Sequence, residues 1–468
     1  MFKIKWLIFV TIIFLFMQCG KDKNPLLFFP NNEENASNSS NTLSNASDGT
    51  TDSSTGNNVG TNTINDQCGT LAYDTQTVVN VNVKVQVLDI DGPVVGATVI
   101  LRLPNNAVSN LFQVGTNENG IAEGIAQILT SVDSLLLEVK VGSNVIYSAN
   151  INNRCDLGQY LVRIDRNVVI NDDLNNQNPI DSDGDGTPDV NDAYPNDPSR
   201  ATVVVFPLSG AGVIAFEDLY PVPGDADFND VVLQIFNAED LNTEGKVVRI
   251  RGNYKFLARG AGYNHVVLIK LSGSGTLIQK VYDENNNLVS QVNTHVDSLE
   301  KVPLFLKDAL FFANPVYTSS SIYQTHTLCS WNSSPPSSNY RACYSSEIEI
   351  IFDEPQPKTK LTTAPYDLYI YVLNTNKEIH FPGLYLRNDG SDVYLDNDGF
   401  PWALLVPTKW NWPFDGRYMT TAYPCFDEWY VSRGTNFTDW YFRTDSTSRS
   451  NLFLYFNDID YLDTTGCR

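Results

Sequence analysis

The stretch VVNVNVKVQVLD, Val78 to Asp89, alternates apolar and polar residues from Val79 to Val87 and puts Val79, Val81, Val83, Val85 and Val87 on one face of an extended chain. Side chains of a strand point to opposite sides in turn, whereas a helix would scatter these valines around its circumference. Their β-branched side chains favour the extended backbone as well. The segments that follow, DGPVVGATVILRL, GTNENGIAEGIAQI and SLLLEVKVGSNVIYSANI, repeat the pattern between turns rich in Gly and Asn. That rhythm predicts a small all-β sandwich. From Thr202 to Arg468 the runs TVVVF, IAFEDL, DVVLQIF, KVVRIRGNYKFLA, NHVVLIKL, SEIEIIF, YDLYIYVL and LFLYFND are of the same kind, and no helical period lasts beyond two turns. A second, larger β unit is expected there.

With 468 residues the chain has room for two folded units and linkers. Its first residues carry Lys3 and Lys5, then an apolar run from Trp6 to Met17, then Cys19. The run is short for a membrane span and reads as an export signal, with an uncleaved membrane anchor as the alternative. An apolar run ending in cysteine resembles a bacterial lipoprotein signal, cut before Cys19, whose thiol then takes the lipid. Phe16, Met17 and Gln18 stand where small residues are usual, a looseness found in spirochaete lipoproteins. Residues 21–66 are dominated by Asn, Ser, Thr and Gly and cannot bury enough apolar surface to order, which makes them a polar tether. The expected organisation is a signal peptide at 1–18, a tether at 19–66, a small sandwich at 67–166, an acidic linker at 167–201 and a large β domain at 202–468.

Export places the chain where cysteines pair. Setting Cys19 aside from the seven cysteines leaves six, and proximity along the chain favours Cys68 with Cys155, Cys329 with Cys343, and Cys425 with Cys467.

A formal net charge of -23 excludes nucleic acid as a partner, because phosphates demand a basic face. It favours metal cations or simple solubility. Four well-separated histidines leave little material for zinc. In the linker, Asp181, Asp183 and Asp185 alternate, Gly184 and Gly186 lie between and after them, and Asp189 and Asp192 follow at short spacing. Calcium takes six to eight oxygens at about 2.3 to 2.6 Å, and a tight turn bearing every-other-residue carboxylates can wrap one, with a solvated acidic linker as the alternative. A second acidic phrase, FEDLYPVPGDADFNDVV, crowds Glu217, Asp218, Asp225, Asp227, Asn229 and Asp230 around a turn set by Pro221, Pro223 and Gly224. This oxygen set again suits calcium, with turn capping by Asp and Asn as the alternative. A third group, Asp389, Asp392, Asp396 and Asp398, reads as a solvated hairpin tip.

Three resemblances follow from these residues. The run from Thr70 to Arg163 looks like the small transthyretin-like or carboxypeptidase-regulatory-type sandwich, a spacer or binding module. DSDGDGTPDVNDAYPNDP resembles a thrombospondin type 3 repeat, in which Asp181, Asp183, Asp185, Asp189 and Asp192 match calcium ligand positions. The phrase AFEDLYPVPGDADFNDVV, with KEIHFPG, PWALLVP, AYPCFDEWY and FTDWY in order behind it, resembles the LruC domain of exported bacterial proteins, named after a leptospiral lipoprotein antigen. Together they imply an all-β chain: the small sandwich followed by a larger, jelly-roll-like LruC-type sandwich.

No GxSxG elbow, P-loop or HExxH occurs. GAGVIAFED matches GxGxxA, but Pro221 and Pro223 bar a helix behind it. Trp410, Trp412 and Trp429 would stack on sugar rings if exposed and are core if buried, the latter being expected for residues this large. The sequence therefore predicts a non-enzymatic envelope lipoprotein: membrane-held through a lipid anchor, on the surface or periplasmic face of an outer membrane, stabilised by calcium and facing a protein or glycan partner. The alternative is a carbohydrate-binding or glycoside-cleaving envelope protein.

Overall fold

The computed structural model describes residues 70–71, 78–89, 92–104, 110–129, 132, 134–142, 144–164, 180–187, 189, 191–207, 210–331, 343–361, 364–456 and 467. All belong to one compact unit, Ile64–Arg468. The expectations for the signal peptide, Cys19, the tether and the Cys68–Cys155 pair fall on residues or side chains outside the described ones.

The valine stripe does what its period demands. Strand β2 (Val78–Asp89) follows the short β1 (Thr70–Leu71), and Val79, Val81, Val83, Val85 and Val87 are all buried. Around β2 are β1, β3 (Gly92–Pro93), β6 (Ile121–Leu129) and, in parallel, β9 (Tyr160–Arg163). A second sheet runs in the order β5 (Asn110–Gly115), β4 (Thr98–Arg102), β7 (Leu135–Val141), β8 (Asn144–Ile151). Valines of β2 share one core with Val99 and Leu101 of β4 and with Leu135, Leu137 and Val139 of β7, so the two sheets form a sandwich. The turn into β6 requires Gly120, whose φ is +68° and where an added Cβ would meet the Val87 carbonyl oxygen at 2.5 Å.

The larger part is also two sheets, every strand pair in them antiparallel. One runs β16 (Leu288–Val296), β15 (Gly275–Tyr282), β18 (Ser345–Gln356), β13 (Val247–Ala258), β12 (Val231–Leu241), β11 (Gly212–Phe216), β21 (Ala403–Val406), with β10 (Thr202–Phe206) also on β12. The other runs β17 (Val302–Pro303), β14 (His265–Lys270), β19 (Asp367–Val372), β20 (Lys377–Ile379). Leu233, Ile250 and Phe256 of the first pack in one core with Val267, Leu268 and Ile370 of the second. The chain is thus all-β, a small sandwich followed by a larger one. Among the described residues helix is confined to α1 (Leu310–Ala313), α2 (Thr325–Leu328), α3 (Phe426–Val431) and short 3₁₀ turns. No helix among the described residues is long and apolar enough to cross a membrane. Disulfides join Cys329 to Cys343 and Cys425 to Cys467, as chain proximity suggested.

Two features of this frame position the acidic residues. The pair Phe216↔Val231 closes the register of β11 on β12, so the loop between them, residues 217–230, carries the whole second acidic phrase. The acidic linker, for its part, is fastened on both sides. Gln113 donates to the Asn191 carbonyl at 2.7 Å and Asn191 to the Gly142 carbonyl at 2.9 Å, on the small sandwich. On the large one, Asp240 accepts from Tyr194 Oη at 2.7 Å and from Arg251 at 2.6 Å, pairs with Arg249, and lies 3.6 Å from Arg200.

Candidate metal centres

In the linker loop Asp181, Asp183 and Asp185 each offer a carboxylate oxygen, and these oxygens lie within 4.8 Å of one another. Asp181 accepts from the Gly184 and Gly186 N–H groups at 2.8 and 3.0 Å, which curls the loop around the group. Asp183, Asp185 and Asp192 each accept one backbone N–H through Oδ1, from Asp185, Thr187 and Tyr194. Their Oδ2 atoms are buried and have no partner. Asp189 is placed differently: its oxygens accept from Ser182 N–H and Oγ–H, both at 2.7 Å. Burial pushes the Asp192 carboxyl up to about 6, and the charges of Asp185, Asp183 and Asp181 add to it. Asp185 is raised as well, first by burial and then by Asp183 and Asp181, against a lowering backbone hydrogen bond from Thr187.

The second phrase divides in space. Glu217, Asp225 and Asp227 converge, each with an oxygen within 4.8 Å of the others. Glu217 is fully buried; Oε1 accepts the Phe228 N–H at 2.5 Å, while Oε2 has no partner. Asp227 accepts from Asn229 N–H at 3.2 Å and from Gly416 N–H at 2.7 Å. Asp225 is exposed and opens the group to solvent. Burial holds Glu217 well above the usual carboxylate range, with Asp230, Asp227 and Asp225 raising it further, and pushes Asp227 up to about 7 with help from Asp225. Asp230, raised by burial and by Asp218, accepts the Asp218 N–H at 2.7 Å. Asn229 donates to the Pro413 carbonyl at 3.3 Å, and its own side-chain oxygen is buried without a partner.

Asp218 turns to the other sheet, where its Oδ2 lies 2.9 Å from His265 Nε2, and His265 Nδ1 lies 3.1 Å from Thr325 Oγ1. This acid, imidazole and hydroxyl chain is buried at all three residues. Burial also pulls His265 down, against the raising effect of Asp218. The third acidic group caps turns: Asp389 accepts Ser391 N–H, Asp392 the N–H groups of Gly383 and Tyr394, and Asp396 those of Asp398 and Phe400. Trp410, Trp412 and Trp429 are buried core residues.

Sequence spacing missed Asp415 and Gly416. Gly416 bonds Asp227, and Asp415 is raised first by burial and then by the Asp225 charge, which places it beside the group. The one local signal is the turn dipeptide Asp415-Gly416 itself.

Residues 245–441 match a family model described as a domain of unknown function, DUF4842. The match leaves out the linker loop and the Glu217 phrase and includes Asp415. No curated protein matches. Among solved structures, a protein described as "Putative lipoprotein from Bacteroides ovatus" aligns over 77% of this chain and 99% of its own at 14% identity, with a TM-score of 0.40. The Bacillus anthracis TIE protein aligns over 48% and 43% at 11% identity and TM-score 0.13. BcpA, the major pilin subunit of Bacillus cereus, aligns over 70% and 95% at 9% identity and TM-score 0.14. No argument about function follows from likenesses this distant.

Proposed function

We propose that this chain is a non-enzymatic, exported envelope protein, lipid-anchored at Cys19, and that calcium in the linker loop stiffens the joint between its two sandwiches so that they meet a protein or glycan partner as one body. The observation that carries the reading is the linker itself. Three buried carboxylate oxygens, on Asp183, Asp185 and Asp192, lack a donor in a segment bonded to both sandwiches. A buried acceptor left unsatisfied costs about 1 to 3 kcal/mol, more when charged, and a hard cation with oxygen preference removes that cost where Asp183 and Asp185 converge with Asp181. The resemblance of residues 181–198 to a thrombospondin type 3 repeat, and of the larger domain to the LruC type, supports the same role at an outer membrane. Burial of Trp410 and Trp412 removes the aromatic platform on which a sugar-stacking alternative relied.

Calcium titration calorimetry of the full chain after chelation tests it. The linker site predicts a binding heat that is lost, in whole or for one of two sites, in the Asp183→Asn/Asp185→Asn double variant. A double variant with the wild-type isotherm would sink the linker site.

A further inference from the structure

We infer that Glu217, Asp225 and Asp227 seat a second oxygen-preferring divalent cation, of calcium's class, at the seam where the β11–β12 loop meets the segment 413–419. Oxygens bound to one calcium at about 2.4 Å lie at most about 4.8 Å apart, which is the span within which these three carboxylates converge. Convergence alone is common among acids. What sets this group apart is Glu217, the side chain of a fully buried residue whose Oε2 has no donor. That oxygen faces the turn carrying Asp225: a Cβ added at Gly224 would sit 3.3 Å from it. Glycine there keeps a side chain away from that oxygen.

Carboxylates are the charges that act most strongly on the group. Asp230, Asp227 and Asp225 act on Glu217, Asp225 acts on Asp227 and on Asp415, and neither lysine nor arginine pairs with any of the three converging acids among the described residues. Two like charges about 4 Å apart near a protein surface repel by about 4 kcal/mol, so such a set resolves by taking protons or a cation. Exposed Asp225 gives a cation its route in from solvent. The donor set is all oxygen, which selects calcium, magnesium or manganese over zinc and copper.

The site is built from two distant parts of the chain, which gives the cation a structural consequence. Gly416 N–H binds Asp227, Met419 N–H binds the Ala226 carbonyl at 2.9 Å, and Pro413 accepts from Asn229. A cation that orders the loop thereby fastens the aromatic C-terminal segment to the strand ends. None of this depends on the linker loop, whose residues are separate, so either site can fail alone.

The test is calcium titration of the full chain, wild type against Glu217→Gln, Asp225→Asn and the Asp183→Asn/Asp185→Asn linker variant, with unfolding midpoints in chelator. Glutamine keeps the acceptor for Phe228 N–H and deletes the charge. The expected result is one calcium site weakened by at least about tenfold in both Glu217→Gln and Asp225→Asn and retained in the linker variant. The calcium-free midpoint of Glu217→Gln should rise, because the repulsion is gone. Should Glu217→Gln fail to fold, exposed Asp225→Asn decides alone. Wild-type isotherms in the single variants, or loss of all calcium heat in the linker variant, would overturn the inference.

Discussion

Glu217 is the first residue after a strand, β11, in which every position is buried, so its carboxylate is carried into the interior by the strand that precedes it. Its neighbour Asp218 points the opposite way, as successive side chains of an extended chain do, and ends on His265 of the facing sheet. Sequence spacing grouped the two acids in one calcium set, and the parity of the folded chain divides them. Gly224, with φ +69° and an added Cβ that would meet Leu219 Cδ1 at 3.2 Å and Glu217 Oε2 at 3.3 Å, should not tolerate a side chain. Gly224→Ala is expected to cost about 1 to 3 kcal/mol in urea denaturation, and to weaken calcium uptake at the Glu217 group. A different residue adds a pH dependence of its own. Burial pulls His380 down, but hydrogen bonds to Asp367 at 2.6 Å and Glu378 at 3.5 Å outweigh it and leave the imidazole raised above its ordinary value. A raised folded-state value means this contribution to stability is complete below the unfolded value of about 6.5 and is lost as pH rises through the folded one. His380→Gln should therefore destabilise more at about pH 5.5 than at about pH 8.5, read as the difference in urea midpoints.

At the scale of elements, the strands with strict alternation were readable because a period of two has one structural meaning, and β2 is the clearest case. The segment beyond β21 was not. Residues 410–456 hold α3 and 3₁₀ turns around a knot of Trp410, Trp412, Tyr423, Phe426, Trp429 and Trp440, in which Trp410 and Trp440 meet edge to face at 6.1 Å. Aromatic residues of that density fix a core without imposing a period, so spacing alone does not say which turns they make. Asp415 escaped for a related reason: it feels the Asp225 charge only because long-range packing brings the two segments together, which no local pattern encodes. Trp410→Ala should cost about 3 to 5 kcal/mol in equilibrium unfolding, the loss of a core side chain. Asp240 anchors a second element. It is fully buried under Arg249 and Arg251 and reaches Arg200 and Tyr194 of the linker, and Arg200 lies 4.3 Å over the Tyr194 ring. Asp240→Ala should cost about 3 to 5 kcal/mol, because the arginines lose their counter-charge. It should also expose residues 194–200 to protease.

For the whole molecule, the two sandwiches have separate cores, and the linker between them is held by hydrogen bonds and ion pairs. Such a joint is where a bound cation has leverage, since polar contacts at a surface are individually weak. Cations that bind the folded chain and not the unfolded one stabilise it by mass action, by about 2.7 kcal/mol per site at a hundred times the dissociation constant. The measurement that bears most directly on the account is scanning calorimetry of the full chain in chelator and across a calcium series. The account predicts an unfolding midpoint that climbs with the logarithm of free calcium. A midpoint that stays in place from chelator to millimolar calcium would contradict it.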